Sequence, residues 1–493
     1  MHDNISEAIR YHAKTIPNKP YLISNDQVYT YAEIDKLIDA TCIKFEKLGL
    51  SSGEIISVIL KNSVEYVLLY LAALRIGCVI NPYPYNLDAK DVIRYLEIVK
   101  PKILFCNKKH YEYVKNFAKS VVILVDSNFL DKLDGNKKYI DFKPKEKTPA
   151  CIYYSSGTTG SPKSVVFSHK NMLTNISSIC RGFKFTEQET HLIILPMGHT
   201  ASVNYSFLPC TLLGGTLVIT ESFWKIKQNF WNIIKKFDIT YVEVVPSILV
   251  ALLHVRYDED DYSGIKRLRF IGCGSAPLPT ELQNKIYQKF GLKVANLYGL
   301  SETGPTHVDY PLDKDWIPGS IGKPLDVNQV HIMDEEGKML EEDQIGEIIV
   351  KGENVFIGYY NNQKIYNQVV LDGFFHTGDL GYKNKYGVFY FTGRKKDLII
   401  KGGVNISPDE IDEIIFKQDE VKEAITIGTE DEYLGEKIIT YIVLKDGKKL
   451  DGEKVKDFCK KFLSKEKIPD IVQFVESLPK GPSGKILRRE MKN

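Results

Sequence analysis

Short apolar runs alternate with stretches of helical periodicity along most of the chain, and this alternation limits the fold more than any other feature. Thr30 and Glu33 have the spacing of a capping box, and Ile34, Leu37, Ile38, Phe45 and Leu48 follow on one helical face until Gly49. A buried strand over 55–60, helices over 64–74 and 88–99 and a strand over 103–106 come next. Strands joined through helices pair in parallel, because a parallel pair needs a long crossover where an antiparallel pair needs only a hairpin. Residues 126–149 are charged and aperiodic, predicting a surface connection. The alternation then resumes with strands over 151–154, 192–195, 216–219, 241–245, 269–271 and 293–297 and a helix from Lys170, predicting a second doubly wound sheet. Ligands of such sheets bind at the carboxyl ends of strands, where segments 155–164, 196–199, 272–277 and 298–303 emerge.

A chain of 493 residues exceeds what one core supports, which is about 250–300 residues. Beyond residue 319 the texture changes to short strands punctuated by Gly322, Gly337, Gly346, Gly352, Gly358, Gly373, Gly378 and Gly387, predicting a small β-rich subdomain. A compact βα segment follows from residue 394. The expected fold is α/β, with domains at 1–393 (α/β subdomains over 1–150 and 151–318, a β-rich part over 319–393) and 394–493. A net charge of +2 argues against nucleic acid or an anionic membrane as partner. The eight cysteines are scattered without metal-ligand spacing and read as buried free thiols of a cytoplasmic protein. The first ten residues lack the apolar segment of a secretion signal, and the most apolar helical stretch, 66–74, is shorter than the ~20 residues of a membrane span.

The segment 153–164, YYSSGTTGSPKS, concentrates phosphate-binding chemistry. Gly157 and Gly160 let backbone N–H groups converge on an anion, Ser155, Ser156, Thr158 and Thr159 add hydroxyls, and Lys163 adds a point charge. It meets the P-loop pattern except at Pro162, which has no N–H to donate and fixes φ, so a P-loop nest cannot form in the same way. A P-loop ATPase would also need a Walker B strand ending in Asp, whereas the second-sheet strands end in Pro196, Glu221 or Pro246. Segment 298–303, YGLSET, turns through Gly299 and presents Ser301, Glu302 and Thr303, a carboxylate among hydroxyls that suits Mg²⁺. Asp379, in Thr377-Gly378-Asp379, is placed to accept both hydroxyls of a ribose, and Arg394 lies at the proposed domain boundary. Near the end, PKGPSGK over 479–485 holds Lys485 in a loop shaped by two prolines and two glycines. Alone, each motif has an ordinary explanation: a polar loop, a helix cap, a turn, a solvated basic tail.

Together, in this order, five matches resemble the adenylate-forming superfamily of acyl- and aryl-CoA synthetases, luciferases and nonribosomal peptide adenylation domains: 155–163, 298–303, 377–379, 393–397 with Gly403 and Asn405, and 479–485. The resemblance covers nearly the whole chain. It implies a large N-terminal domain with a β-barrel-like part and a small mobile C-terminal domain. It assigns Ser155, Ser156, Gly157, Thr158, Thr159, Gly160 and Lys163 to the ATP phosphates, and Gly274, Ser275, Ala276, Tyr298, Gly299 and Ser301 to ATP as well, with Gly274, Ser275, Ala276 and Tyr298 along the adenine. Asp379 and Arg394 take the ribose, Glu302 the Mg²⁺, and Lys485 is the adenylation lysine. Lys396 is the hinge, Gly402 and Gly403 border a coenzyme A tunnel, Asn405 contacts the acyl-adenylate, and His199 lies near the acyl carbonyl. Ser164, Gly198 and Ser301 depart from the family's usual residues, and Gly198 implies an enlarged or softened acyl pocket.

The implied reaction is ATP-dependent activation of a small carboxylic acid, followed by transfer to coenzyme A. The segment 198–202, GHTAS, lacks the Asp that pairs with a substrate amine in amino-acid-activating members, implying a fatty or aryl acid without an α-amino group. Transfer to a carrier-protein phosphopantetheine is the alternative, though no insertion precedes the hinge. A noncatalytic nucleotide sensor is disfavoured because Lys485 and Glu302 are both present.

Overall fold

The computed structural model describes residues 2–117, 119–133, 137–155, 162–480 and 486–491. The helix Tyr31–Lys47 starts as expected, with Thr30 accepting from the Glu33 N–H and Glu33 reaching back to the Thr30 backbone. The helix Val64–Ile76 is apolar on every face but for Glu65 and Arg75, and every residue in it except Glu65 is buried. A helix of that composition belongs between layers. It sits in the largest core, shared by residues of two seven-stranded sheets, among them Ile56, Val58 and Tyr153 of one and Leu22, Leu217 and Tyr241 of the other.

The division of strands between the sheets differs from the sequence expectation. Pro149–Ser155 lies beside Val79–Pro82 in the first sheet and pairs antiparallel with Lys163–Ser168, Ser155 opposite Lys163. The phosphate segment therefore joins the strands of a hairpin instead of leading from a strand into a crossover helix, and it leaves the first sheet rather than the second. Periodicity identifies strands but is silent about partners, and the short run Lys163–Ser168 ends in the cap of helix His169–Gly182, which hides it. In return, Pro20–Ser24 and Gln27–Thr30 complete the edge of the second sheet, whose other strands are Thr216–Ile219, Thr190–Ile193, Tyr241–Val244, Phe270–Gly274 and Val294–Leu297. All of these pair in parallel except Gln27–Thr30.

Part of segment 126–149 is interior. Asp141 lies 2.8 Å from Arg10 Nε and 3.1 Å from Arg75 Nε, and Asp39 is bonded to both guanidiniums. Arg75 is fully buried, and buried guanidiniums require carboxylates around them.

The strands Asn328–Met333, Gly346–Gly352, Phe374–Lys383 and Phe389–Arg394 form a curled antiparallel sheet, with Val370–Leu371 on its edge. The C-terminal part has its own five-stranded sheet and a separate core around Ile399, Ile411, Ile438 and Val455. All eight cysteines are free and buried. No helix among the described residues is long and apolar enough to cross a membrane.

Candidate active site

Ser155, the 298–303 turn, Asp379 and Arg394 converge from three sheets. Glu302 is 7% exposed, and one of its carboxylate oxygens accepts from Ser155 Oγ at 2.6 Å and from Tyr359 Oη at 3.0 Å. Ser301 Oγ donates to the Tyr154 carbonyl at 3.2 Å, so the 298–303 turn is tied to the end of the phosphate hairpin strand at two points. Lys163 Nζ lies 5.4 Å from the centre of the Tyr359 ring. Residues 156–160 and Lys485 lie outside the described residues.

Glu302 has no cationic partner among the described residues. A buried carboxylate is costly without a cation, so this oxygen pair fits Mg²⁺. No cluster of three or more His, Cys, Asp or Glu able to hold a metal occurs among the described residues. A lone buried carboxylate suits an ion held by one or two carboxylates and completed by substrate phosphates.

Asp379 is 2% exposed and binds Tyr298 Oη at 2.9 Å through one oxygen and Arg394 Nε at 2.9 Å through the other. The second contact follows from register: Asp379 and Arg394 face each other across the Phe374–Lys383 and Phe389–Arg394 ladder. The first joins that sheet to the end of strand Val294–Leu297. Strand Phe270–Gly274 runs beside it with Gly274 opposite Leu297, and Ser275 adopts a left-handed φ of 66°, which turns Ser275 and Ala276 away from the sheet. Non-glycine residues held there cluster at functional sites.

His199 is the N-cap residue that precedes the helical segment 200–213. Its ring Nε2 is buried and has no hydrogen-bond partner among the described residues. Burial pushes its pKa down to about 4, so the ring is neutral at pH 7. The preceding loop is held from the first sheet: Asn62 donates to the Leu195 carbonyl and accepts the Met197 N–H, and Tyr66 Oη donates to the Met197 carbonyl at 2.6 Å. Gly198 has a structural cause that differs from the expected enlarged pocket. A Cβ there would lie 2.3 Å from the Tyr83 carbonyl oxygen, so glycine is required for the loop to pass the first sheet.

Other expected residues are not gathered here. Lys396 lies in the short turn Lys395–Asp397 that leads into the C-terminal part. Gly402, Gly403 and Asn405 are exposed on the hairpin of Ile399–Lys401 and Val404–Ile406. Tyr359, Asn62 and Tyr66 were not singled out by the motifs. Asn62, just past the end of strand Ile55–Ile59, carried the one usable signal, its place at a carboxyl edge.

The AMP-binding enzyme family matches residues 9–360, and the AMP-binding enzyme C-terminal domain matches residues 410–485. A sulfoacetate–CoA ligase of Cupriavidus necator is 31% identical over 100% of this chain and 98% of its own length. ATP-bound MatB from Rhodopseudomonas palustris superposes with a TM-score of 0.92 at 27% identity, covering 100% of this chain and 98% of that one; its apo form gives 0.83. The o-succinylbenzoate coenzyme A synthetase MenE of Bacillus subtilis, in complex with ATP and magnesium ion, gives 0.85 at 28% identity over 99% of both chains.

The chain belongs to the AMP-binding enzyme family. Within it, the protein is an AMP-forming acid–thiol ligase: it activates a carboxylic acid with ATP and Mg²⁺ as the acyl-adenylate and carries out CoA-ligase chemistry on that intermediate.

Proposed function

We propose that the residues converging on Glu302 and Asp379 form the ATP site of this ligase, with His199 at the carboxylate of the acid. A carboxylate is a poor electrophile at neutral pH, so it must first gain a leaving group. Its oxygen attacks the α-phosphorus of ATP, the bond to the bridging oxygen breaks, and pyrophosphate leaves with the electron pair. Residues 155–163 cradle the phosphates and Lys485 neutralises the charge that builds on them; one oriented donor of this kind contributes about 3–4 kcal/mol. Mg²⁺, when held by Glu302, supplies further positive charge to the phosphate oxygens. Asp379 and Arg394 hold the ribose, while Gly274, Ser275, Ala276 and Tyr298 line the adenine. The neutral His199 donates from Nε2 to the acid and withdraws no proton.

The coenzyme A thiolate then attacks the acyl carbonyl, and AMP departs. Gly402, Gly403 and Asn405 serve this second step after residues 394–493 rotate at Lys396, which agrees with their exposure here. Eight free buried thiols support a cytoplasmic location. The substrate lacks an α-amino group, in keeping with Thr200-Ala201-Ser202 beside His199.

The contact between Glu302 and Ser155 carries this reading, since it unites two distant motifs around a buried anion. The test is pyrophosphate release across a panel of carboxylic acids, with and without coenzyme A. Acid-dependent release with thioester formed only when coenzyme A is present is expected. Acid-independent hydrolysis of ATP to ADP would overturn it.

A further inference from the structure

The strand Tyr241–Val244 carries two different faces. Val242 and Val244 pack into the core with Leu249, Leu282 and Ile286. Tyr241 points the other way, into the core that holds Tyr205 and Phe207. Glu243 shares that face by alternation. The segment Val203–Phe207, which contacts this strand, is a π-helical turn inside the helix that starts after His199, and such turns occur frequently at functional sites.

Both carboxyl oxygens of Glu243 are buried without a hydrogen-bond partner among the described residues, as are Tyr205 Oη, Tyr241 Oη and His199 Nε2. The Tyr241 hydroxyl occupies space above Gly272, the cross-strand neighbour of Glu243; a Cβ on Gly272 would lie 2.2 Å from it. Asp309 provides the contrast. It is also deeply buried, yet it receives the Asn296 N–H, Trp316 Nε1 and Ser320 Oγ. A carboxyl that serves only the fold is satisfied by the fold. Burial pushes the Glu243 pKa up to about 8, and no cation among the described residues pairs with it. Glu243 also lies at the carboxyl edge of its strand, the edge from which the His199 and Ser275 loops emerge.

We propose that Glu243, with Tyr205 and Tyr241 beside it, forms the specificity wall of the acid site and selects a carboxylic acid whose far end carries a hydrogen-bond donor, a hydroxyl or an ammonium group. The proposal rests on the ligase reading above. An anionic tail would be buried beside this carboxyl with no cation among the described residues to balance it, and a methyl-ended tail would leave the carboxyl unpaired.

The test compares acid-dependent pyrophosphate release by the full chain with chain-length-matched sets of acids: methyl-ended, ω-hydroxy, ω-amino and dicarboxylic. The wild type is expected to prefer a donor-ended acid in kcat/KM by about tenfold or more, as buried unpaired polar groups penalise the analogue that lacks the partner. Glu243→Leu reverses this toward the methyl-ended acid. Glu243→Gln distinguishes the two donors, retaining an ω-hydroxy acid and losing an ω-amino acid. Equal use of all four acids by the wild type, or preference for the dicarboxylic acid, overturns the proposal without any variant. So does an unchanged preference in a folded Glu243→Leu protein. Pyrophosphate release that never depends on an acid overturns the ligase reading itself, and this proposal with it.

Discussion

Glu413, in the C-terminal helix Pro408–Ile415, accepts the backbone N–H of Thr280 at 3.1 Å, at the start of helix Thr280–Phe290 in the large part of the molecule. Pro279, the residue before that helix, makes no side-chain cap, so a carboxylate from the other part of the chain satisfies a free helix N–H. The helix directly follows the loop of Gly274, Ser275 and Ala276. The contact therefore ties the C-terminal part to the element that carries that loop.

Glu413→Ala is therefore expected to loosen this orientation of the two parts by about 1.5–3 kcal/mol, the range for a hydrogen bond to a charged group. Adenylate formation slows, while thioester formation from a supplied acyl-adenylate is kept or accelerated. Single-turnover measurement of each half-reaction checks this, and equal slowing of both would count against it.

The pairing of Asp379 with Tyr298 and Arg394 predicts a ribose effect. Asp379→Asn should raise KM for ATP by about tenfold or more, through loss of a charge-assisted site, and should narrow the discrimination between ATP and deoxyadenosine triphosphates. Steady-state kinetics with both nucleotides measures it; a variant that still discriminates as the wild type does would remove Asp379 from the ribose.

The sequence reveals Tyr298 and Asp379 as separate motifs but not their contact, because it depends on how the curled sheet meets the end of strand Val294–Leu297. The Asp379–Arg394 pair is easier to anticipate, since both residues belong to one ladder. Helix starts are legible where the chemistry is local, as at Thr30 and Glu33. Sheet membership of residues 149–155 is not, because a strand's periodicity is the same whichever sheet it joins. Tyr359 leaves no signal, being in the two-residue strand Gly358–Tyr359, and Glu243 reads as one polar residue in an apolar run.

Gly198→Ala places a methyl group 2.3 Å from the Tyr83 carbonyl oxygen. Overpacking of this kind costs about 1–3 kcal/mol, and here it also displaces His199. Lower thermal stability together with a reduced adenylation rate is expected. A variant with unchanged melting temperature and unchanged activity would contradict this cause for the glycine.

Glu243 predicts a pH signature in stability. Its folded pKa of about 8 exceeds the ordinary value of 4.5 that the carboxyl takes on unfolding, so the folded state binds more protons between these values. Stability from this group is fully present below the unfolded pKa and is lost as pH rises toward 8. Tyr205, Tyr241 and Cys273 feel its charge and are themselves raised by burial, so they stay neutral through this window. Denaturant unfolding of wild type and Glu243→Gln across pH 5–8 should show the variant gaining on the wild type as pH rises; parallel curves would refute it.

The assignment of Lys485 to the adenylation step is tested most directly by Lys485→Ala, assayed separately for acid-dependent pyrophosphate release and for thioester formation from a supplied acyl-adenylate. The first is expected to fall by about two to three orders of magnitude while the second persists. Equal loss of both half-reactions, or undiminished pyrophosphate release, would contradict the account.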